Sequence, residues 1–288
     1  MHIAIIGLGE VGRCYARALH AAGHALSLCA PRPTPAMLEM ASSWSLPLHR
    51  QAGDWLGSAD WVISCVTGAS ALQALAQCLP FTAAGAVICD MTTASPGVKR
   101  QAAAMAAQRS VGYVDVAIMG AVSLKLEKTP LLAAGPGAQA FAALLAPAGG
   151  RVRVIEGGAA GDAIALKILR SVFTKGLEAL SVELLMAAEQ QGVRDKLYEQ
   201  LSDIDETPLR TFIDMLVRTH VVHARRRAHE VHDAAAELAR HGLPSLVLPG
   251  VEQRFGLTAQ ALAQHPIAAP DPSVEQALQW LLEHTALT

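Results

Sequence analysis

His2 to Arg13 reads H-I-A-I-I-G-L-G-E-V-G-R. Ile3, Ala4, Ile5 and Ile6 form a short apolar run of strand type, which breaks into glycines at Gly7, Gly9 and Gly12 and passes directly into the helical pattern Arg13 to Ala22. A G-x-G-x-x-G pattern between a strand and a helix has a mechanical meaning. The first glycine permits the tight turn, the second lets a pyrophosphate approach the backbone, and the third lets the helix pack close to the strand. The free N–H groups of the helix N-terminus then point at phosphate. The stretch predicts a dinucleotide site built from Gly7, Leu8, Gly9, Glu10, Val11 and Gly12.

Working outward, Gly23 stops the first helix and Ala25 to Ala30 (A-L-S-L-C-A) reads as the second strand. The end of that strand bears on the choice of cofactor. A carboxylate there would bond the ribose hydroxyls of NAD, but Ala30 and Pro31 are followed by Arg32. A guanidinium suits a 2'-phosphate, with hydroxyl contacts open to Ser27, Thr34 and Ser42 or Ser43, so NADP is expected ahead of NAD. Further strands are expected at Ala59 to Thr67, Ala86 to Asp90, Tyr113 to Ile118, Pro130 to Ala134 and Arg151 to Ile155. Strands alternating with helices predict a doubly wound parallel sheet of the α/β class. Ligands sit at the carboxyl ends of such strands, which places Val66, Thr67, Thr92, Thr93 and Asp115 to Gly120 toward cofactor and substrate.

The character of the sequence changes near Gly157. The reading is a Rossmann domain over 1–158 followed by an all-α domain over 159–288. Asp162 is expected to cap a helix running to Gly192, about 45 Å long at the helical rise. Leu166, Leu169, Phe173, Leu177 and Leu180 make one apolar stripe, and another face carries Lys167, Ser171, Thr174 and Glu178. Periodicity leaves open which row lies inside.

Composition limits the function classes. The 288 residues are 52% hydrophobic and 17% charged, enough for a large core and two domains. A net charge of −2 and 4% aromatic residues argue against nucleic acid. Met1 leads straight into the first strand and no apolar run is long enough to span a bilayer, so a cytoplasmic protein without membrane contact is expected. Cys14, Cys29, Cys65, Cys78 and Cys89 are scattered and odd in number, against a disulfide framework or a zinc site. His229, Glu230 and His232 do not have H-E-x-x-H spacing, since Asp233 takes the fourth place, and with His220 and His223 they give no case for a metal.

The glycine motif, D-V-A-I-M-G at Asp115 to Gly120 and G-D-A-I-A-L-K-I-L-R-S at Gly161 to Ser171 together resemble the β-hydroxyacid dehydrogenase superfamily with its phosphogluconate dehydrogenase-like Rossmann domain. The resemblance covers most of the chain. It implies that Gly7, Gly9 and Gly12 hold the cofactor and that Lys167, matching the lysine of the family's interdomain helix, is the general acid/base. An amine in a dry site can titrate near neutrality, take a hydroxyl proton and let hydride leave to the nicotinamide. Two departures stand out. The family's Ser-Gly-Gly substrate motif is Met119, Gly120 and Ala121 here, and its Asn pair after the lysine is Arg170 and Ser171. Ser171, four residues from Lys167, can still bond substrate or orient the amine, with Thr174 and Lys175 as further candidates.

From Val193 on the sequence reads as helical. H-A-R-R-R-A-H-E-V-H at His223 to His232 and H-G-L-P at His241 to Pro244 resemble the small C-terminal domain of a poorly characterised branch of that group. Arg225, Arg226 and Arg227 spread around the helix, so at least one is expected to face inward or a partner subunit, where a guanidinium could clamp a substrate carboxylate or phosphate; Arg226 is the candidate named, with the choice among the three left open. The expected protein is an NAD(P)-dependent oxidoreductase, NADP ahead of NAD, that interconverts a small β-hydroxy acid or related alcohol with its carbonyl form. The alternatives are an imine reductase of the same architecture and a cofactor-binding protein without turnover. The apolar faces of the helical half predict a homodimer.

Overall fold

The computed structural model describes residues 1–286, so Leu287 and Thr288, at the end of the expected helical domain, lie outside the described residues. The chain forms two compact units, Met1–Val172 and Phe173–Thr288. The expected boundary at 158/159 precedes the long helix, whereas the units divide inside it. Ala163 and Ile164, in its first turn, are buried in the first unit's core.

The first unit is built on eight strands: β1 (His2–Ile6), β2 (Ala25–Cys29), β3 (Leu48–His49), β4 (Trp61–Ser64), β5 (Val87–Asp90), β6 (Gly112–Ile118), β7 (Pro130–Ala134) and β8 (Arg151–Val154). Their order in the sheet is β3-β2-β1-β4-β5-β6-β7-β8. Helices α1 (Glu10–Ala21), α2 (Pro35–Ser43), α3 (Ala71–Cys78), α4 (Pro96–Ala107), α5 (Val122–Lys125) and α6 (Ala138–Leu145) connect them. This is the doubly wound Rossmann arrangement expected from the sequence, and its order reverses between β1 and β4, where such sheets bind ligands.

The strands read as nearly continuous apolar runs because both faces are covered. Ile3, Ile5, Leu28 and Ile63 point to one side and Ala4, Ile6, Val62 and Ile88 to the other, each set heading its own core cluster. Burying Ile3 and Ile5 completely stabilises the fold by about 1.5–3 kcal/mol each.

One expectation about the sheet is corrected, and one strand was not anticipated. The pair β6–β7 is antiparallel, because the connection 119–129 is too short for a full crossover and turns the chain back instead. The two-residue strand β3 pairs parallel with β2 at the sheet's edge and is too short to produce a periodic signal.

The long helix, α7, spans Asp162–Gln190. Its exposure inverts the usual amphipathic pattern. The apolar stripe is open, with Leu166 47%, Leu169 64%, Phe173 41%, Leu177 51% and Leu180 39% exposed, whereas Lys167, Ser171 and Thr174 are partly buried. Glu178 is exposed and pairs with Lys175. In the second unit the later turns of α7 are followed by α8 (Arg194–Gln200), α9 (Ser202–Glu206), α10 (Leu209–Arg240), α11 (Leu248–Gln264) and α12 (Val274–Thr285). Val221, Ala261, Ala277 and Trp280 form the core of the last three. Glu183 of α7 accepts from the Ser245 hydroxyl and from the N–H groups of Leu246 (2.8 Å) and Val247 (3.2 Å), which fixes the loop that opens α11. Among the described residues no helix is long and apolar enough to cross a membrane.

Candidate functional site

The turn after β1 has the geometry its glycines require. Gly7 has φ +89°, and a Cβ there would lie 2.9 Å from the Cys65 carbonyl oxygen. A Cβ on Gly12 would lie 1.9 Å from the Gly7 oxygen, so only a glycine lets α1 rest on the turn. Gly9 is the N-cap of α1, has no side-chain capping bond, and a Cβ there would meet nothing within 4 Å. The first turn of α1 therefore offers its N–H groups to open space. A dinucleotide pyrophosphate fits that cradle, in size and in charge.

A cavity of about 680 Å³ opens in front of this turn, at the carboxyl ends of β1, β2, β3 and β4. Gly7, Leu8, Gly9, Arg32, Val66 and Thr67 line it, all of them expected from the sequence. Glu10, Val11 and Gly12 form the first turn of α1, next to the lining residue Gly9. The sequence reading missed Arg50, which follows β3 and lines the same cavity, so two guanidinium groups stand at the β2 and β3 ends. Only the pairing of a two-residue strand brings Arg50 there. Of the hydroxyls expected to assist Arg32, that of Thr34 is exposed two residues further on, and those of the serines lie elsewhere. Ser27 is buried mid-strand and bonds His2 Nε2 (2.8 Å), Thr34 caps α2, and Ser43 donates to the Met40 carbonyl at the far end of that helix. Ser42 is also at that far end.

The loops after β4 and β5 touch, since a Cβ on Gly68 would lie 2.9 Å from the Thr93 backbone. Thr93 is exposed, but Thr92, expected to face the cofactor, is buried and its hydroxyl accepts the Ala94 N–H (3.2 Å), so it shapes the turn. Asp115 is corrected in the same sense. It is fully buried in β6, and its neighbours Val116, Ala117 and Ile118 are core residues. Only Met119, Gly120 and Ala121 reach beyond the strand. Met119 packs with Ala117, Leu132, Ala134 and Ala163, which brings the end of β6 against the first turn of α7.

That first turn is not capped as the sequence suggested. The Asp162 carboxylate accepts the Ala159 N–H (2.8 Å), ahead of the helix. The helix's own Ile164 N–H and the adjacent Gly161 N–H donate to Oδ2 of Asp115, at 3.1 and 3.0 Å. An aspartate from the middle of the sheet thus caps α7, because the α7 start packs over β6 and its N–H groups need an acceptor there. Oδ1 of Asp115 faces the Lys99 ammonium at 3.1 Å, and Lys99 also contacts Oδ1 of Asp90 (3.1 Å) and the Asp90 carbonyl (2.6 Å).

Lys167 stands one turn further along α7. Burial, and then the positive charge of Lys99, hold its amine below the ordinary lysine range. Ser171 follows at i+4 and is partly buried, while Arg170 is exposed. Thr174 and Arg226 belong to the second unit. There Arg226 is exposed and paired with Glu230, whereas its neighbour Arg227 donates to the Thr219 hydroxyl (3.0 Å). Among the described residues no cluster of three or more His, Cys, Asp or Glu side chains is arranged to hold a metal ion.

The fold and the glycine cradle define a dinucleotide-binding protein of the Rossmann class. Residues 2–152 match the NAD binding domain of 6-phosphogluconate dehydrogenase, and the chain belongs to that family. Residues 188–257 match a domain of unknown function, DUF1932. An uncharacterized 28.5 kDa protein of Methanothermus fervidus is 27% identical over 259 residues, covering 88% of this chain and 98% of its own length. A solved structure of a conserved protein of unknown function, described as similar to 3-hydroxyacid dehydrogenases, is 28% identical with a TM-score of 0.64 and covers 92% of this chain and 99% of that one. An imine reductase from Aspergillus terreus, in complex with NADPH4 and dibenz[c,e]azepine, has the same fold at 18% identity and a TM-score of 0.75, covering 96% of this chain and 97% of that one.

Proposed function

We propose that this chain is an NAD(P)-dependent oxidoreductase that interconverts a small β-hydroxy acid, or a related alcohol, with its carbonyl form, and that Lys167 is its general acid/base. The observation that carries the reading is the inverted exposure of α7. The row holding Lys167 and Ser171 is the sheltered one, and burial lowers the amine's titration. A lysine on an exposed polar face would have no such reason to be sheltered.

In this reading the α1 N-terminus holds the pyrophosphate, and Arg32 with Arg50 grips a 2'-phosphate, which favours NADP over NAD. The nicotinamide supplies a hydride acceptor or donor. Lys167 Nζ takes the hydroxyl proton as the carbonyl forms and returns it in the reverse direction, and Ser171 orients substrate or amine. Oxidation needs the neutral amine, so its rate rises with pH through the Lys167 titration and levels off above it. Reduction needs the ammonium and shows the opposite slope. Both slopes lie below the ordinary lysine range, because burial favours the neutral form.

The test is reduction of NADP and NAD across a panel of 3-hydroxy acids, sugar acids and aromatic β-hydroxy compounds, with Lys167→Ala beside the native chain. The expected result is turnover that prefers NADP and drops on the order of 10²–10⁴-fold in the variant. Turnover indifferent to the loss of the lysine removes the reading.

A second reading, reduction of an imine, is favoured by one observation. Met119 stands where the family carries a serine, and it packs in an apolar cluster, so this position offers no hydroxyl for a substrate carboxylate. Hydride transfer to cyclic imines but not from hydroxy acids selects it. NADPH binding with no turnover of either kind selects a binding role instead. The open stripe of Leu166, Leu169, Phe173, Leu177 and Leu180 supports a homodimer in which a second copy covers it. A monomeric mass by light scattering excludes that assembly. The free thiols of Cys29, Cys78 and Cys89, all buried, suit the cytoplasm as the compartment.

A further inference from the structure

Beneath the first turn of α7 lies a cluster of charged groups that the chemistry above does not use. Asp90 on β5 and Asp115 on β6 stand directly opposite each other in the parallel register. Two carboxylates so placed repel, and both are buried. Lys99 reaches between them from α4 with no exposed surface. Its ammonium donates to the Asp90 carbonyl at 2.6 Å and is ion-paired with Asp90 Oδ1 and Asp115 Oδ1, each at 3.1 Å; Asp115 Oδ1 is buried with no hydrogen bond, so that ion pair is what compensates it. The other carboxylate oxygens are used as well. Asp90 Oδ2 accepts the Tyr113 hydroxyl (2.6 Å), and Asp115 Oδ2 accepts the two N–H groups that begin α7. Gly161, just before the helix, leaves no room for a side chain against α4, since a Cβ would lie 2.9 Å from the Pro96 oxygen.

We propose that Lys99 and Asp115 are positioning residues for Lys167: Asp115 ties the first turn of α7, three residues before Lys167, to the sheet, and Lys99 holds Asp115 in place. The Lys99 charge also helps lower the Lys167 titration. The consequence of this arrangement for chemistry rests on the reading of Lys167 as the acid/base. The arrangement itself does not. A single carboxylate bridges a helix start and a buried cation, so a displacement of Lys99 is transmitted to the helix one turn before Lys167. The charged group that acts on the Lys167 amine is Lys99 of α4, itself paired with Asp90 of β5 and Asp115 of β6; on α7 the charged residues nearest in sequence are Asp162, bonded to the Ala159 N–H ahead of the helix, and the exposed Arg170. The Lys99 cation is thus partly neutralised, and how completely is set by the two aspartates.

Competitive acetylation of the lysines with trace acetic anhydride at graded pH, read peptide by peptide in a mass spectrometer, measures the free-amine fraction of Lys167 without substrate or cofactor. Asp115→Asn keeps an acceptor for the α7 N–H groups but leaves Lys99 less neutralised, and Lys167 should become about threefold more reactive at a pH below its titration. The double variant Lys99→Met, Asp115→Asn removes the cation while keeping the cluster's net charge, and the same reactivity should fall about threefold below the native value. Opposite movements are the signature. A merely structural cluster loosens α7 in both variants and moves Lys167 the same way in both, or not at all, and either result overturns the proposal. Should the double variant not fold, Asp115→Asn decides alone, and native-like Lys167 reactivity in it overturns the proposal. The two readings separate cleanly. A Lys167→Ala chain with full turnover removes the acid/base role while the labelling pattern stands. Unchanged labelling beside an inactive Lys167→Ala chain removes the positioning role alone.

Discussion

Two helices of the first unit, α1 and α7, begin over the same sheet, and their N-termini are treated in opposite ways. At α1 the N-cap is Gly9, no side chain caps the helix, and the N–H groups face open space. At α7 the start is capped from below by Asp115, itself held by a buried lysine. A helix N-terminus carries a partial positive charge that wants an anion. Where the anion is to arrive from outside, the fold removes its own side chains. Where the helix must stay put, the fold supplies the anion from its core. The two sites also fail differently, one through added bulk and the other through unbalanced charge.

The largest expected effect is at the charged seat. Lys99→Met leaves Asp90 and Asp115 buried, opposite each other and uncompensated, and should cost about 3–5 kcal/mol of stability in denaturant unfolding. Adding Asp115→Asn should recover part of that loss by removing one of the stranded charges. A Lys99→Met chain as stable as the native one would show that the cluster is not held by its ion pairs, and the contrast with α1 would collapse.

A smaller effect is expected from bulk at the glycine turn. Gly12→Ala places a Cβ 1.9 Å from the Gly7 oxygen, so α1 must move off the turn. Overpacking of this kind should cost about 1–3 kcal/mol and weaken NADPH binding as well. Thermal unfolding and a binding titration on the same variant check both halves, and an unchanged melting temperature would mean that α1 can shift without penalty.

The same contrast governs what the sequence could disclose. The glycine turn is a local device, written in twelve consecutive residues, and its position and backbone geometry follow from them. Asp90, Lys99 and the pair Tyr113 and Asp115 come from three separate elements, β5, α4 and β6, and each is ordinary by itself. Lys99 sits in P-G-V-K-R, which reads as a solvated helix start, while Asp115 reads as a strand-end residue because strand periodicity does not tell which layer will cover it. Arg50 is hidden for a different reason, since a two-residue strand has no period. One missed feature was within reach: the stretch 119–129 is too short for a crossover, and that alone requires β7 to run antiparallel to β6. Which face of α7 is sheltered could not be read from spacing, because the apolar stripe is the exposed one.

The smallest effect on stability, and the sharpest test of the contrast, belongs to Gly9→Ala. The backbone at Gly9 has φ −64° and is open to any residue, and the added methyl would meet no atom within 4 Å. The folded chain should therefore be as stable as the native one to within about 0.5 kcal/mol. If the space in front of α1 is where a pyrophosphate lies, the same methyl intrudes on it, and the NADPH dissociation constant should rise about tenfold, equivalent to about 1.4 kcal/mol. Gly12→Ala damages fold and binding together, whereas Gly9→Ala should separate them. Intrinsic fluorescence quenching by NADPH, set beside unfolding curves, reads both quantities on one preparation. Native affinity in Gly9→Ala would place the dinucleotide away from the open N-terminus, and the uncapped start of α1 would then need another explanation.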